Sequence, residues 1–535
     1  MLAERTRALR AALALTIGLA AAATGVTASA QTAAAVGEST TTLVVIVPIS
    51  TPESEDAFIP ADALEQYTSP QGLLTRQLDA VLALPVTIAI DPRILASIRV
   101  LGSSAPATAT AWLARLEAAS NETFALTYGD SDITLATQAG SSRVLAPNSF
   151  DFAIDDTLFV DPPEQTPAST ATPEPPVVPT SDSLVDWAYS VAAVAWPRAG
   201  TVVESDLQVM SDSGYGTVIL SSNNVAAGSP PVARVGEMTA VIADDGVSGA
   251  VRAAATSRSA SDWQAAIAAL AALLTPGTTV VTLDRSVPLA ANQRAETLVA
   301  LQAMSNVTLG RLGDLVSSEA TTIVDRPQDA AALDRVRLLL DAEREEVKFA
   351  SVAAEPSDVT SPRRLRELTI LSIAWTDNPN GWSTATQQFL LDSIELRNAV
   401  QLVSSSSFLL LADSSGLPVS VSNALGQPVT VFITVRPETA LLAVGDSRVE
   451  LVIEPHSQAK GVVPVQAISN GTVQILTTLT SSTGVAIGQP TTAEINVQAG
   501  WETPVVSVIG ALVVAVFAGG IVRNIVRRRR GVRQE

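Results

Sequence analysis

Short apolar runs in the first 325 residues end on residues able to do sugar chemistry: Asp91, Tyr128, Asp130, Asp132, Trp196, Ser221, Asn223, Asp244, Asp245, Asp284 and Arg285. Two carboxylates on one rim can act as general acid and as nucleophile or base at a glycosidic bond. An aromatic ring can stack on a sugar's apolar face, and amides and hydroxyls can hold its ring hydroxyls. By type, Asp91, Asp130, Asp132, Asp244 and Asp284 are the catalytic candidates, and Tyr128, Trp196, Asn223 and Arg285 the ligand contacts. Each carboxylate also has a structural alternative. Asp91 before Pro92 suits a turn or helix cap, Asp130-Ser131-Asp132 a local cap, Asp244-Asp245-Gly246 a turn, and Asp284-Arg285 an internal ion pair.

What the chain lacks narrows the chemistry. It has no cysteine and a single histidine, His456, far along the chain from these carboxylates. A zinc site of one Asp and two His, or a Ser-His-Asp triad, is therefore excluded near them. There is no EF-hand loop and no glycine-rich phosphate loop, so the sequence implies no metal and no cofactor.

The elements that must position these residues alternate. Strand-like runs at Thr42–Pro48, Pro85–Ile90, Thr123–Thr127, Val191–Ala195, Thr217–Leu220, Ala240–Ala243 and Thr278–Leu283 are separated by amphipathic stretches. The stretches are Ala63–Leu82, Thr108–Ala119, Ser183–Tyr189, Ser205–Ser213, Ser248–Arg258, Ser261–Leu274 and Ala290–Ser305. Buried runs alternating with helices predict a parallel sheet covered by helices, and about seven units is a barrel-like number. In such barrels functional side chains lie where strands end, which is why the residues above are grouped. The α/β region spans 41–325, interrupted by a Pro/Thr-rich loop at 161–180 that cannot bury a core.

A helical segment follows at 326–399, with helices predicted over Ala330–Lys348, Pro362–Ile373 and Ser383–Ala399. From 400 to 498 the apolar period becomes two, with turn residues between runs, which predicts an immunoglobulin-like β-sandwich.

Both ends read as addresses. Residues 1–30 carry Arg5, Arg7 and Arg10, an apolar stretch and Ala28-Ser29-Ala30, the pattern of a secretory signal peptide. Within 503–524, Val505–Val522 is uncharged and apolar, and Arg523 and the Arg-rich 525–535 tail follow, as in a transmembrane helix with a positive cytoplasmic stop. The expected placement is a single-pass type I protein of the plasma membrane with its bulk outside the cytoplasm. Ser507, Ala511, Ala515 and Gly519 recur every four residues and give the helix one smooth face for a helical partner. Without the leader, the anchor helix and the tail, 24 basic residues face 51 acidic ones, a net charge of about −27 that repels nucleic acid.

Ile90-Asp91-Pro92, Tyr128-Gly129-Asp130, Ala195-Trp196-Pro197, Val421-Ser422-Asn423 and Gln427-Pro428-Val429 occur in this order between leader and anchor. In that order the chain resembles an actinobacterial family of secreted, single-pass, membrane-anchored envelope proteins with a domain of unknown function. Genes of that family often lie beside that of the lipid II flippase, which implies a cell-envelope role. At fold level the α/β region also resembles the barrels of polysaccharide deacetylases and of retaining glycosidases, an analogy that says little about function. The preferred expectation is a non-enzymatic module, binding a cell-wall glycan or a protein. A metal-free carboxylate glycosidase and an accessory partner of a multi-span transporter of cell-wall precursors are the alternatives.

Overall fold

The computed structural model describes residues 40–159, 178–285, 293–316, 319–403, 407–410, 414–446, 448–497 and 502–530. The leader at 1–30, most of the Pro/Thr-rich loop and residues 531–535 lie outside the described residues.

The first sheet is built on β1 (Thr41–Ile49), a nine-residue run that is apolar on both faces and buried throughout except at Thr42. Then follow β2 (Thr87–Ile90), β3 (Thr123–Ala125), β4 (Val194–Ala195), β5 (Thr217–Ser221), β6 (Val232–Val235), β7 (Met238–Ala243), β8 (Gly277–Thr282), β9 (Val307–Gly310) and β10 (Glu319–Ala320). Parallel pairing runs from β3 through β2, β1, β8, β7 and β5 to β4. Only β6 runs antiparallel to its neighbour, in a tight hairpin with β7 whose turn residue Gly236 has φ 58°. β9 extends the edge of β1 below β2, and β10 pairs with β6.

A closed barrel is not shown. The ladder ends at β3 and β4, which are joined only near their starts, where Val191 N–H donates to Thr123 C=O at 3.0 Å. Alternate residues of the seven parallel strands nevertheless meet in one buried cluster. It holds Val44 and Ile46, Ala89, Phe124, Val194, Ile219, Val241 and Val280. The other face of the sheet packs under helices through Leu43, Val45, Val47, Ile88, Ile90 and Val281.

Several helices depart from the sequence pattern. Ala63–Leu82 divides into Ala61–Thr68 and Leu73–Asp79, because Pro70 has no N–H to give and holds Ser69 extended. Ser181–Val185 stops short of Tyr189. Pro92–Arg99 and Ile133–Gln138 are helices that the pattern did not announce, being short and buried on most sides.

Three longer helices follow: Ala330–Ala350, Pro356–Ile370 and Pro379–Arg397. The second begins six residues before the predicted start, since Pro362, read as a first-turn residue, lies inside it.

Two antiparallel sheets come next. One orders β11 (Val400–Leu402), β13 (Ser414–Asn423), β17 (Ser457–Ala467) and β15 (Leu442–Val444). The other orders β12 (Ser407–Leu410), β19 (Ala486–Val497), β18 (Gly471–Thr480), β14 (Val429–Pro437) and β16 (Val449–Ile453), with β12 joined in parallel. Buried and exposed residues alternate along β14, β17 and β18, and the inward set from both sheets makes one core. β19 starts eight residues before the predicted strand, because Gln489-Pro490 lies within it and is not a turn. Phe349 and Val352, from the end of the first long helix, belong to the same core.

The last helix runs Glu502–Arg530. Its 24-residue stretch Val505–Arg528 is long and apolar enough to cross a membrane. At 1.5 Å per residue it spans about 36 Å, against about 30 Å of hydrocarbon. Arg527 and Arg528, placed in the tail by sequence, continue the same helix.

Phe124 is fully buried at the centre of the β-strand cluster and touches Trp196, ring centroids 6.1 Å apart. Replacing Phe124 by Ala is expected to cost about 3–5 kcal/mol of stability, read by denaturant unfolding. A loss below about 1 kcal/mol would contradict the packing.

Candidate functional site

The predicted residues divide into two sets. The first lies at the ends of β2, β3, β4 and β8. Asp91 ends β2 and caps the Pro92–Arg99 helix, its Oδ1 accepting from Arg93 N–H at 2.9 Å. The same oxygen accepts from Gly129 N–H at 2.9 Å. Gly129 and Asp130 both have positive φ, 64° and 49°. Glycine takes that conformation freely, and Asp tolerates it better than most residues do.

The turn directs Asp130 at Arg285, with Oδ1 2.5 Å from Nη1. Arg285 also donates from Nη2 to the carbonyls of Trp196 at 2.8 Å and Pro197 at 2.9 Å. Its guanidinium carbon lies 4.2 Å from the centroid of a Trp196 ring. Tyr128 is buried, and its hydroxyl donates to Ala57 C=O at 2.7 Å.

Asp132 caps the Ile133–Gln138 helix. Its Oδ1 accepts from Thr134 N–H and Oγ1, and its Oδ2 accepts from Gln328 Nε2 at 2.7 Å. Asp91, Asp130 and Asp132 are 1%, 3% and 3% exposed.

What covers them is the chain itself. Asp132 N–H donates to Leu371 C=O at 2.8 Å, and Ser131 bridges Ser372. Thr369 lies so close over Gly129 that a Cβ there would meet its Cγ2 at 3.2 Å. The end of the Pro356–Ile370 helix thus sits on this half of the rim.

The second set is more open, with Asp244 and Asp245 exposed and Asp284 half-buried. Exposed Asn223 donates from Nδ2 to Asp245 Oδ2 at 2.7 Å, and Ser221 Oγ reaches Asp245 Oδ1 at 3.4 Å. Asp244 caps the Asp245–Ala255 helix by accepting from Val247 N–H at 2.8 Å. Asp284 pairs with Arg252 Nε at 2.8 Å rather than with Arg285. The three carboxylates of the covered set do not face an open cleft, the geometry a glycosidase needs. A cleft of about 210 Å³ opens elsewhere, lined from both sheets of the later strands by Leu417, Val419, Lys460, Ile475 and Ala493 among others. Among the described residues no group of His, Cys, Asp and Glu could hold a metal ion.

Burial sets the electrostatics of the covered set. It pushes the Asp91 carboxyl up to about 6, against the pull of the Arg93 N–H and charge. It pushes Asp130 up to about 7; Arg285 pulls it down, and the Asp91 charge adds to the rise. Asp130 Oδ2 is buried with no hydrogen-bond partner. Tyr128 is raised too, chiefly by burial. No local pattern marks Arg294, buried at the start of the Arg294–Ala303 helix and donating to Pro48 C=O at 3.3 Å. Burial lowers its guanidinium to about 10. Nor does any mark Gln328, whose role exists only once the chain has folded back.

Ser507, Ala511, Ala515 and Gly519 lie on the Glu502–Arg530 helix, four residues apart and so near one face.

Removing one partner of a buried pair leaves the other charge uncompensated. Arg285→Ala is expected to destabilise the protein by about 3–5 kcal/mol in denaturant unfolding, and a change under about 1 kcal/mol would count against the pair. The raised carboxyls keep protons in the fold that the unfolded chain gives up near pH 4. Their contribution is therefore complete at low pH and is lost as pH rises through about 6 for Asp91 and about 7 for Asp130. Asp130→Asn should flatten the fall in melting temperature between pH 5 and pH 8, a window reaching about one unit below the Asp91 value and about one above the Asp130 value. An unchanged slope would show that Asp130 does not titrate there.

Comparison with known proteins adds a family and little else. No curated protein matches the chain. Among solved structures, a fragment of alpha-2-macroglobulin from Escherichia coli is 20% identical, over 19% of this chain and 16% of that one, with a TM-score of 0.16. WR4, a Caenorhabditis elegans MSP family member, is 5% identical over 19% of this chain and 99% of its own, at 0.15. The E. coli chaperone DraB is 13% identical over 19% and 55%, at 0.15. At these scores none of them carries an argument about the whole chain. A family model does span it, over residues 7–532, and the protein belongs to that family, the family of unknown function DUF6049.

Proposed function

We propose that this is a non-enzymatic cell-envelope protein, anchored in the plasma membrane by Val505–Arg528, whose extracytoplasmic part binds a glycan or a protein partner. In this reading 1–30 is a cleaved leader, and 41–325 is a barrel-like α/β domain. Segment 326–399 is its helical cover, 400–498 is an immunoglobulin-like sandwich acting as a stalk, and 525–535 faces the cytoplasm.

The observation that carries the reading is the burial of Asp91, Asp130 and Asp132 under the Pro356–Ile370 helix and the segment after it. These carboxylates are spent on helix caps and on Arg285, so no acid and nucleophile stand ready for a substrate. The inward residues shared by seven parallel strands support the barrel-like form. The open part of the rim, with Asn223, Asp245 and Asp284, is the surface assigned to the ligand. Its carboxylates suit a neutral glycan or a basic peptide and disfavour nucleic acid.

A role as accessory to a multi-span transporter would work instead through the face of Ser507, Ala511, Ala515 and Gly519.

The test is to present the full chain in nanodiscs to cell-wall glycans and peptidoglycan precursors, scoring binding and product separately. Binding without product, weakened about tenfold or more in Asn223→Ala or Asp245→Ala, is the expected outcome; that loss corresponds to about 1.4 kcal/mol. A product abolished by Asp91→Asn or Asp130→Asn would make the protein an enzyme. No binding, with a membrane protein that co-purifies and is lost when Ala511 and Ala515 become Leu, would move the function to the anchor.

A further inference from the structure

Behind the covered rim, the long helices bury a second set of charges. Glu343 and Glu346 come from Ala330–Ala350, and Arg363, Arg364 and Glu367 from Pro356–Ile370. Arg363 grips both oxygens of Glu346, Nε to Oε2 at 3.0 Å and Nη2 to Oε1 at 2.7 Å. It also donates to Phe389 C=O of the third helix at 2.9 Å, and its guanidinium carbon lies 3.8 Å from that ring's centroid. Arg364 pairs with Glu343 and donates from Nη1 to Glu367 Oε2 at 3.0 Å.

Three carboxylates thus share two guanidinium groups. Glu367 is 0% exposed, and its Oε1 is buried with no hydrogen-bond partner. An ionised carboxylate so placed carries a desolvation cost that a proton removes.

The other charged groups around this helix are already engaged or face elsewhere. Arg366 is held by Glu55 at 2.8 Å and by Asp392 of the third helix. Arg344 pairs with Asp341, and Lys348 with Glu345, both on exposed ground. On the rim side stand Asp130 with Arg285, Asp91 with Arg93 N–H, and Asp151, which accepts from Ser181 Oγ at 2.6 Å. Two residues beyond Glu367, Thr369 rests on Gly129. The odd carboxyl and the covered turn are therefore carried by the same end of one helix.

We propose that Glu367 is a proton-held latch: its protonated carboxyl seats the Pro356–Ile370 helix on the Tyr128–Asp130 turn, and release of that proton to solvent loosens the helix and uncovers the rim. Burial first, and the Glu343 charge next, push this carboxyl up to about 8, against the pull of Arg364. The seated form is therefore strongest at low pH, weakens as pH rises toward that value and weakens no further beyond it. This device concerns access to the rim and does not depend on which ligand the open rim binds.

Hydrogen exchange followed by mass spectrometry on the full chain in nanodiscs, at several pH values from about 6 to 9.5 and corrected for intrinsic exchange rates, reads the latch directly. Peptides covering Tyr128–Asp132 and Pro356–Leu371 are expected to open more as pH rises from about 6 to about 8, by up to about tenfold per pH unit, as one released proton requires, and to level off above that. Peptides from β14 and β18 should not change. Glu367→Gln, uncharged and similar in shape, should remain protected at every pH.

Should Glu367→Gln not fold, Glu343→Gln serves, since it leaves two carboxylates for two guanidinium groups and should also abolish the rise. A wild-type protein with no rise overturns the latch. So does a rise that survives these variants, or one that levels off near pH 7 and disappears in Asp130→Asn, which would assign it to the rim pair.

Discussion

Arg285 holds together what the backbone of the first sheet leaves apart. Pairing between parallel strands stops at β3 and β4, and a sheet edge left so inside a protein has polar groups to satisfy. Arg285, just beyond β8, reaches Asp130 beyond β3 and the carbonyls of Trp196 and Pro197 beyond β4. Three donors of one rigid guanidinium thus join the ends of the two strands that share no ladder. Lysine, with one compact ammonium and no fork, could not make the same set of contacts. The cost is a buried ion pair, and the Trp196 ring beneath the guanidinium and the raised Asp130 carboxyl are both consequences of that burial.

The same constraint decides what the rim can do. A carboxylate that accepts N–H groups of a helix start is held in place by the backbone, and any movement toward a substrate would strip the cap. Asp91 is bound more tightly still, because its Oδ1 also fixes Gly129 and so the turn that presents Asp130. Raised carboxyl values are often a mark of catalytic acids, but desolvation produces them equally in a structural network. Here Thr369, Leu371 and Ser372 lie over the carboxylates, so the second origin is the one the geometry favours.

Much of the architecture was legible in the sequence because it follows from periodicity. The apolar runs that became β1, β2, β5 and β7 are buried on both faces, and their composition says so; β8 is buried only at Val280 and Val281. The period-two segment that became β13, β14, β17 and β18 is equally plain. Individual carboxylates were legible only as alternatives. Asp91 and Asp132 took the cap option that their local sequence suggests, whereas Asp244, which reads as part of a turn, caps the helix that follows it. Asp284-Arg285 was read as an ion pair of neighbours, yet each residue pairs elsewhere, Asp284 with Arg252 and Arg285 with Asp130. Those partners stand 32 and 155 residues away, and no local pattern encodes such distances. The helical cover was visible as helices, but not as a cover, since what a helix lies against is decided by the tertiary fold.

The cover is also the point where the two β-rich parts meet, and this limits how it can move. Its N-terminal end is tied to the later sheets: Ala354 N–H donates to Pro428 C=O, Thr430 N–H to Val352 C=O, and Glu355 exchanges backbone bonds with the Gln427 side chain. Its C-terminal end is tied to the rim through Leu371 and Ser372. A 15-residue helix fixed at both ends is a strut of about 22 Å, and a strut transmits displacement rather than absorbing it. If the rim end lifts, the most economical motion is a pivot about the Glu355–Gln427 contact. The charges that would resist it are those buried along the helix, between Arg363, Arg364 and their glutamates, rather than those at either end. Control over the rim then lies in the helix bundle, one layer removed from the residues that look most like an active site.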